Sequence, residues 1–304
     1  MKTKQIISTI VIIVTLSLLV LYVYKNLNEF KQLITLHSYY LLPLIFLTFI
    51  GLFLNGYILD ILLTPFKIKL KTKEKLLLPV LTNFYNYITP FRGGMAARAI
   101  YLKKKYKFTY TDFLGATLAV YLLAFFIASL AAIISLLLTK FNLLIFIFLL
   151  IILLTLTLII IISPTFKLTK YNIINKFIRV INDWNLIKKN KPVIYKTFII
   201  SLIQLILSTT SVLLCYKVLG IDIEFTKALF IASISSLSIV IAITPGNLGI
   251  GDAISVFSAN LVGIELTQAV AATIIGRAVG LLLIFIIGPI ATYYLLKKNE
   301  NNTK

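Results

Sequence analysis

Apolar runs that are long enough to cross a bilayer recur along this chain and leave little room for another fold. A membrane-spanning helix needs about 20 consecutive apolar residues. Of the 304 residues, 60% are hydrophobic and 13% are charged, and the mean hydropathy is +1.00. We expect an all-α, polytopic bundle of about 7–8 transmembrane helices in a single membrane domain at 1–304. The apolar runs lie at 6–24, 41–63, 113–138, 141–163, 193–219, 225–243 and 269–296.

The first run follows Lys2 and Lys4, which is also the charge pattern of a secretory signal peptide. This run is longer than the apolar region of a signal peptide, and no pair of small residues suited to cleavage follows it before Tyr24. We therefore expect the residues at 6–24 to form an uncleaved membrane anchor.

Two apolar regions are interrupted by glycine, proline and polar residues. The sequence NFYNYITPFRGGMAAR lies in the first half of the chain, and TPGNLGIGD lies in the second. Irregular backbone at membrane depth is tolerated only where protein or a polar cavity surrounds it. The segments 76–100 and 244–263 are therefore predicted to be re-entrant or half-helical. A pair of such breaks, one in each half, is typical of transporters.

Basic residues determine the expected orientation, because cytoplasmic loops of membrane proteins carry an excess of Lys and Arg. The 30 basic residues are concentrated at the N-terminus, on both sides of 76–100, in the connector 164–192 and at the C-terminus. With these clusters inside a cell membrane, both termini are cytoplasmic, and segment 76–100 enters the membrane and returns. Anionic lipid headgroups explain the net charge of +20, so we expect no nucleic-acid partner.

The connector 164–192 is predicted to contain a cytoplasmic amphipathic helix, with its Ile residues and Trp184 facing lipid. It is too short to form a soluble catalytic domain. Cys215 and His37 are the only residues of their types, which excludes an intrachain disulfide and a metal centre built from Cys and His. We therefore expect no metal, no cofactor and no enzymatic activity.

The sequence PFRGGMAAR carries two arginines beside a backbone reversal. Pro90 is expected to end the incoming helix, and Gly93 and Gly94 are expected to permit a sharp turn. Free amides at the start of the next helix, with Arg92 and Arg98, would bind an anion such as a phosphodiester headgroup. In the alternative interpretation both arginines extend to the cytoplasmic surface and only anchor the segment.

The sequence TPGNLGIGD places an acid beside the second break. Asp252 is expected at or near the N-terminus of a short helix at 252–263, where helix capping alone would explain it. Alternatively it pairs with Arg277, which lies too deep in the last span to reach the surface, or it carries a proton. The residues expected to shape a cavity around the two breaks are Pro90, Gly93, Gly94, Pro245, Gly246, Asn247, Gly249 and Gly251.

Together these motifs resemble the lysylphosphatidylglycerol synthase transmembrane region, the flippase-like membrane part of the bacterial multiple peptide resistance factor. The resemblance covers roughly 6–296 and rests on PFRGG followed by Arg98, on PGNLGIGD, and on Arg277 downstream. The chain departs from the family at Met95 and Asp252, two positions where family members commonly carry Glu. The resemblance implies the translocating part of such proteins rather than lipid aminoacylation.

We therefore predict a lipid flippase or transporter-like protein that binds an anionic lipid through Arg92, Arg98 and Arg277. Anionic membrane lipids are the expected partners, together with a second copy of the chain or a lipid-modifying enzyme. Two other functions are open at this point. One is a non-transporting partner of a lipid-modifying or glycosylating enzyme. The other is a membrane enzyme that acts on a lipid phosphate, although one Asp beside Arg is a sparse catalytic set.

Overall fold

The computed structural model describes residues 37–241 and 243–297, and these residues form helices and connections without any strand. The predicted all-α class is therefore confirmed. The predicted anchor at 6–24 lies outside the described residues. The helices are α1 Leu41–Leu63, α2 Thr72–Ile88, α3 Gly93–Tyr106, α4 Tyr110–Leu138, α5 Leu143–Ile162, α6 Asn172–Lys189, α7 Lys191–Val218, α8 Phe225–Leu237, α9 Ile250–Leu261 and α10 Leu266–Thr292.

Five of the described helices, α1, α4, α5, α7 and α10, are long and apolar enough to cross a membrane. They coincide with five of the predicted runs. The run 225–243 is not a simple span, because α8 ends at Leu237 after 13 residues and a 3-10 turn follows at Ser238–Ile241. A helix of that length rises about 20 Å, which is less than the roughly 30 Å of hydrocarbon.

Helices α2 and α3 form an antiparallel pair at 72–106, here called hairpin 1. Near its open end, the carboxylate of Glu74 accepts hydrogen bonds from the Tyr101 hydroxyl and the Lys105 ammonium group. Near its tip, the Gly94 N–H donates to Asn86 Oδ1 at 3.0 Å. Both ends of the segment therefore lie on the same side of the bundle, as a re-entrant segment requires.

Helices α8 and α9 form the corresponding pair at 225–261, hairpin 2, in which Ala242 is not described. Helix α9 begins at Ile250, two residues before the predicted start. The tips of the two hairpins meet, since the Phe91 N–H donates to the Ile243 carbonyl at 3.1 Å. The two interruptions in the sequence thus become one region inside the bundle.

The two ends of the bundle differ in charge. At one end Phe66 packs edge-on against Phe108, with ring centroids 5.0 Å apart, so the connection before hairpin 1 contacts the connection after it. We call this the basic end, because the Lys-rich segments 67–75 and 103–107 lie there. At the opposite end the His37 N–H donates to the carbonyl of Val218, where α7 ends.

Helix α6 packs against the first turns of α4, which corrects the predicted orientation of Trp184 toward lipid. Trp184 is only 1% exposed, and its indole N–H donates to Ser163 Oγ at 2.9 Å. Ile187 is fully buried beside it, whereas Phe177 is exposed on another face of α6. The helices approach closely at Gly115, and α6 therefore buries the tryptophan face against protein.

The same close approach buries one oxygen of the Asp183 carboxylate. A methyl group in place of the Gly115 hydrogen would lie 2.5 Å from Asp183 Cβ. Asp183 Oδ2 has no hydrogen-bond partner among the described residues. Burial, followed by the nearby charge of Asp112, raises the pKa of Asp183 to about 6 against the opposing charge of Arg179.

Candidate functional site

The tip of hairpin 1 turns at residues that are not glycine. Helix α2 ends at Ile88, before Pro90 as predicted, but the reversal is made by Phe91 and Arg92, with φ values of 53° and 56°. A side chain in the left-handed region is uncommon and costs of order 1–3 kcal/mol. The left-handed backbone of the reversal therefore lies at Phe91 and Arg92 rather than at Gly93 and Gly94.

The two glycines begin α3, and a side chain at either would overlap a neighbour, which for Gly93 is Thr89. A side chain on Gly94 would overlap the Thr82 carbonyl and the Asn86 amide. The Gly94 N–H is already bonded to Asn86, so this amide is not free for an anion, contrary to expectation. Anion binding at this tip therefore depends on the guanidinium groups more than on this helix terminus.

Arg92 extends from the tip of hairpin 1 toward α4 and hairpin 2. Its Nη1 donates to the Tyr121 hydroxyl at 2.6 Å, and its Nη2 donates to the Ile239 carbonyl. Both acceptors lie within the bundle and both are neutral. Arg92 thus ties three elements together and keeps its positive charge uncompensated by these contacts.

Arg98 lies on α3, and its contacts are weaker. Its Nη2 donates to the thioether sulfur of Met95 at 3.2 Å, and a thioether is a poor acceptor. Its Nε is buried and has no hydrogen-bond partner in the described part of the chain. Buried donors are nearly always paired, so a donor left open in this position suggests a ligand.

Both arginines line a cavity of about 300 Å³, here called cavity 1. Its wall includes Leu62 from the last turn of α1 and Thr117 from the beginning of α4, so it lies toward the basic end. None of the residues lining cavity 1 is acidic. They are Asn55, Ile58, Leu59, Leu62, Pro79, Thr82, Asn83, Asn86, Tyr87, Arg92, Met95, Arg98, Ala116, Thr117, Val120, Tyr121, Ile239, Thr244, Gly246 and Asn247.

Asp252 has two of the roles predicted for it as alternatives. Its Oδ2 accepts the N–H of Gly249 at 2.9 Å, which caps α9. Its Oδ1 accepts from Nε of Arg277 at 3.0 Å, and the Nη2 of the same arginine also reaches this oxygen. The carboxylate is therefore both a helix cap and the partner of a deep arginine.

The ion pair lines cavity 2, a second cavity of about 330 Å³. Cys215 in the last turn of α7 and Thr273 near the beginning of α10 place cavity 2 toward the opposite end from cavity 1. Ser235, which has a buried hydroxyl without a partner in the described residues, also lines it. Asp252 balances the charge of Arg277 within this cavity.

The two cavities share a thin wall made by Tyr87, Gly246 and Asn247, which line both. Gly246 has a φ of 59°, and a side chain there would overlap the Tyr87 ring. Arg277 Nη1 donates to the Gly246 carbonyl at 2.8 Å and lies 3.5 Å from the Tyr87 hydroxyl. The wall therefore consists of the two hairpin tips, held by an arginine of α10.

The sequence matches the family described as the lysylphosphatidylglycerol synthase TM region over residues 5–288. The chain belongs to this family. It is a membrane protein whose family is related to lipid biology. No curated protein is significantly similar to the chain.

The predicted site residues of this family member fall into two groups. Arg92 and Arg98 meet in cavity 1, and Asp252 meets Arg277 in cavity 2. Among the residues predicted to shape a cavity, Gly246, Asn247 and Gly251 line one or both cavities, and Gly249 occupies the N-cap position of α9. Four others, Pro90, Gly93, Gly94 and Pro245, line neither of these cavities and form the turns and helix starts beside them.

The sequence did not reveal the roles of two tyrosines. Tyr87 belongs to the aromatic sequence NFYNY, which suggests a membrane interface belt, but it forms the wall between the cavities. Tyr121 stands in the apolar α4 with no motif around it, yet its hydroxyl accepts from Arg92. The only sequence signal for this role was the polar hydroxyl of Tyr121 in the middle of an apolar span.

Proposed function

We propose that this protein binds an anionic, phosphate-bearing lipid and moves its headgroup from one leaflet of the cell membrane to the other. The observation that carries the proposal is the pair of cavities displaced toward opposite ends of the bundle and separated only by the hairpin tips. Broken segments that meet inside a membrane protein are the usual setting for alternating access.

The arginines suit a phosphate group. A guanidinium group presents several N–H donors in a planar fork, which matches phosphate oxygens in a way that a lysine ammonium does not. Arg92 and Arg98 would receive the headgroup in cavity 1, and Arg277 would receive it beyond the wall. Asp252 would balance Arg277 while that site is empty, or take up a proton when phosphate replaces it.

The proposed orientation places the basic end in the cytoplasm, with both termini on that side. The support is the positive-inside rule applied to the Lys-rich segments around hairpin 1 and in the 164–192 connector. Cavity 1 would then face the inner leaflet and cavity 2 the outer leaflet. In this proposal the protein performs no chemical reaction, and lipids are its partners, with a second copy of the chain or a lipid-modifying enzyme as a further partner.

Reconstitution tests the proposal directly. The protein is placed in vesicles containing an acyl-labelled fluorescent phosphatidylglycerol, and dithionite reports the label that reaches the outer leaflet. We expect vesicles with the protein to expose the inner label faster than empty vesicles. Arg92→Lys and Arg98→Lys should each slow this exposure about tenfold, because Lys keeps the charge and loses the fork.

The matched control is Arg179→Lys, which makes the same change at an exposed arginine on α6; it should leave the rate unchanged. A wild-type rate equal to that of empty vesicles would overturn translocation. Lipid binding without translocation would favour the non-transporting partner of a lipid-modifying or glycosylating enzyme. Conversion of the lipid to a new product would favour the membrane enzyme.

A further inference from the structure

The positive charge in cavity 1 is not balanced by any residue that lines it. The acceptors of Arg92 are a hydroxyl and a carbonyl, and the side-chain contact of Arg98 is the Met95 thioether. Cavity 2 differs, because Asp252 pairs with Arg277 there. A phosphodiester in cavity 1 would therefore balance one of the two positive charges, whereas a headgroup that also carries an amine would leave both unbalanced.

The remaining polar side chains that line cavity 1 are neutral amides and hydroxyls. Asn55 Nδ2 donates to the Gly51 carbonyl and Asn83 Nδ2 donates to the Pro79 carbonyl, each at 3.0 Å. Both residues line the cavity together with Asn86, whose Oδ1 accepts from the Gly94 N–H. Amide oxygens accept from hydroxyl groups, but they cannot neutralise an ammonium ion as a carboxylate does.

We infer that cavity 1 selects lipids whose headgroup consists of a phosphate and hydroxyl groups, and that it rejects headgroups that carry an amine. Met95 is the residue that determines this specificity, because its thioether occupies the position beside Arg98 where a carboxylate would cancel the charge. This inference rests on the proposed function in one respect, namely that cavity 1 receives a lipid headgroup.

Binding in detergent tests the inference without requiring translocation. The probes are dihexanoyl phosphatidylglycerol and dihexanoyl phosphatidylethanolamine, whose tails are identical, and titration calorimetry measures both affinities. We expect the wild-type protein to bind the glycerol lipid about tenfold more tightly, because one uncompensated charge separates the two complexes. Met95→Glu should reduce this preference to less than about threefold, because the added carboxylate repels the phosphate of both lipids and attracts only the amine. The matched variant Met95→Gln has the same size without the charge and should keep the preference.

Equal wild-type affinities for the two lipids would overturn the selectivity, and this comparison stands even if Met95→Glu does not fold. A preference that survives in folded Met95→Glu would overturn the role of Met95. Failure of both lipids to bind would overturn the inference together with the lipid site in cavity 1. Selective binding in detergent without movement in vesicles would leave the inference standing and overturn only the translocation proposed above.

Discussion

Replacing Asp252 by Asn should disturb two contacts that a single carboxylate now satisfies. Oδ2 caps the Gly249 N–H and Oδ1 pairs with Arg277. An Asn side chain has one acceptor oxygen, so it can serve one partner while its NH₂ group faces the other donor. If Asp252 were only a helix cap, this substitution would be almost neutral, because Asn and Asp cap equally well.

The expected magnitude follows from the exposure of the pair. The side chains of Asp252 and Arg277 are 22% and 21% exposed. Removing one partner of a fully buried pair costs about 3–5 kcal/mol, and exposed pairs contribute about 0–1 kcal/mol. We therefore expect the free energy of unfolding to fall by about 2 kcal/mol in Asp252→Asn and by a similar amount in Arg277→Gln.

A double-mutant cycle on thermal unfolding in detergent measures this coupling. Each single variant should unfold about 4 °C lower, and the double variant should lose about 1–2 kcal/mol less than the sum of the singles. The control is Asp222→Asn, which removes the exposed acid opposite Lys217 at 3.7 Å and should leave the stability unchanged. Additivity within about 0.5 kcal/mol would refute the ion pair. Wild-type lipid movement by Asp252→Asn would exclude proton transfer through this residue.

Three further predictions follow from the wall, the connector and the orientation. Gly246→Ala should lower the free energy of unfolding, measured by chemical denaturation, by about 2–4 kcal/mol through backbone strain and overlap with the Tyr87 ring. The control Gly263→Ala changes a glycine with a φ of 82° and open space around it, and should cost only about 1 kcal/mol. Asp183→Asn should stabilise the protein by about 1 kcal/mol above pH 6, after allowance for solvent screening, and by progressively less toward pH 4. The reason is that the raised pKa of Asp183 makes the folded protein lose stability as the pH rises through this window. An equal gain in thermal unfolding at both pH values would contradict this. Cysteines at Lys73 and Lys104, with the lone native cysteine replaced, should both react with an impermeant thiol reagent only from the cytoplasmic side, and reaction from opposite sides would make hairpin 1 a true span.

Much of the fold was predictable because hydrocarbon imposes a length and a composition on every span. The paired Lys-rich flanks likewise predicted that hairpin 1 returns to the side it came from. The contacts between distant segments were not predictable in the same way. Trp184 belongs to an amphipathic pattern that suits lipid or protein equally, and its burial depends on two distant partners, Ser163, which accepts from its indole, and the helix that approaches α6 at Gly115.

The candidate site shows the same division. Arg92, Arg98, Asp252 and Arg277 stood out because charge inside apolar sequence is costly. Two of these residues are arginines without an acidic partner, and the other two form an ion pair. This grouping depends on which helices face each other, and no spacing in the sequence encodes that arrangement. The shared wall at Tyr87 was missed for this reason, since its partner lies in the other half of the chain.

The hydrogen bonds at the wall between the cavities bear on whether it can open. Hydrogen bonds across it join Phe91 to Ile243, Arg92 to Ile239 and Arg277 to Gly246. Each contributes a net of roughly 1 kcal/mol, so breaking these three bonds costs about 3 kcal/mol, to which the packing of the Tyr87 ring against Gly246 adds. A phosphate that competes for Arg92 and Arg277 would weaken two of these three bonds, so the ligand itself would favour opening of the wall that separates its two sites.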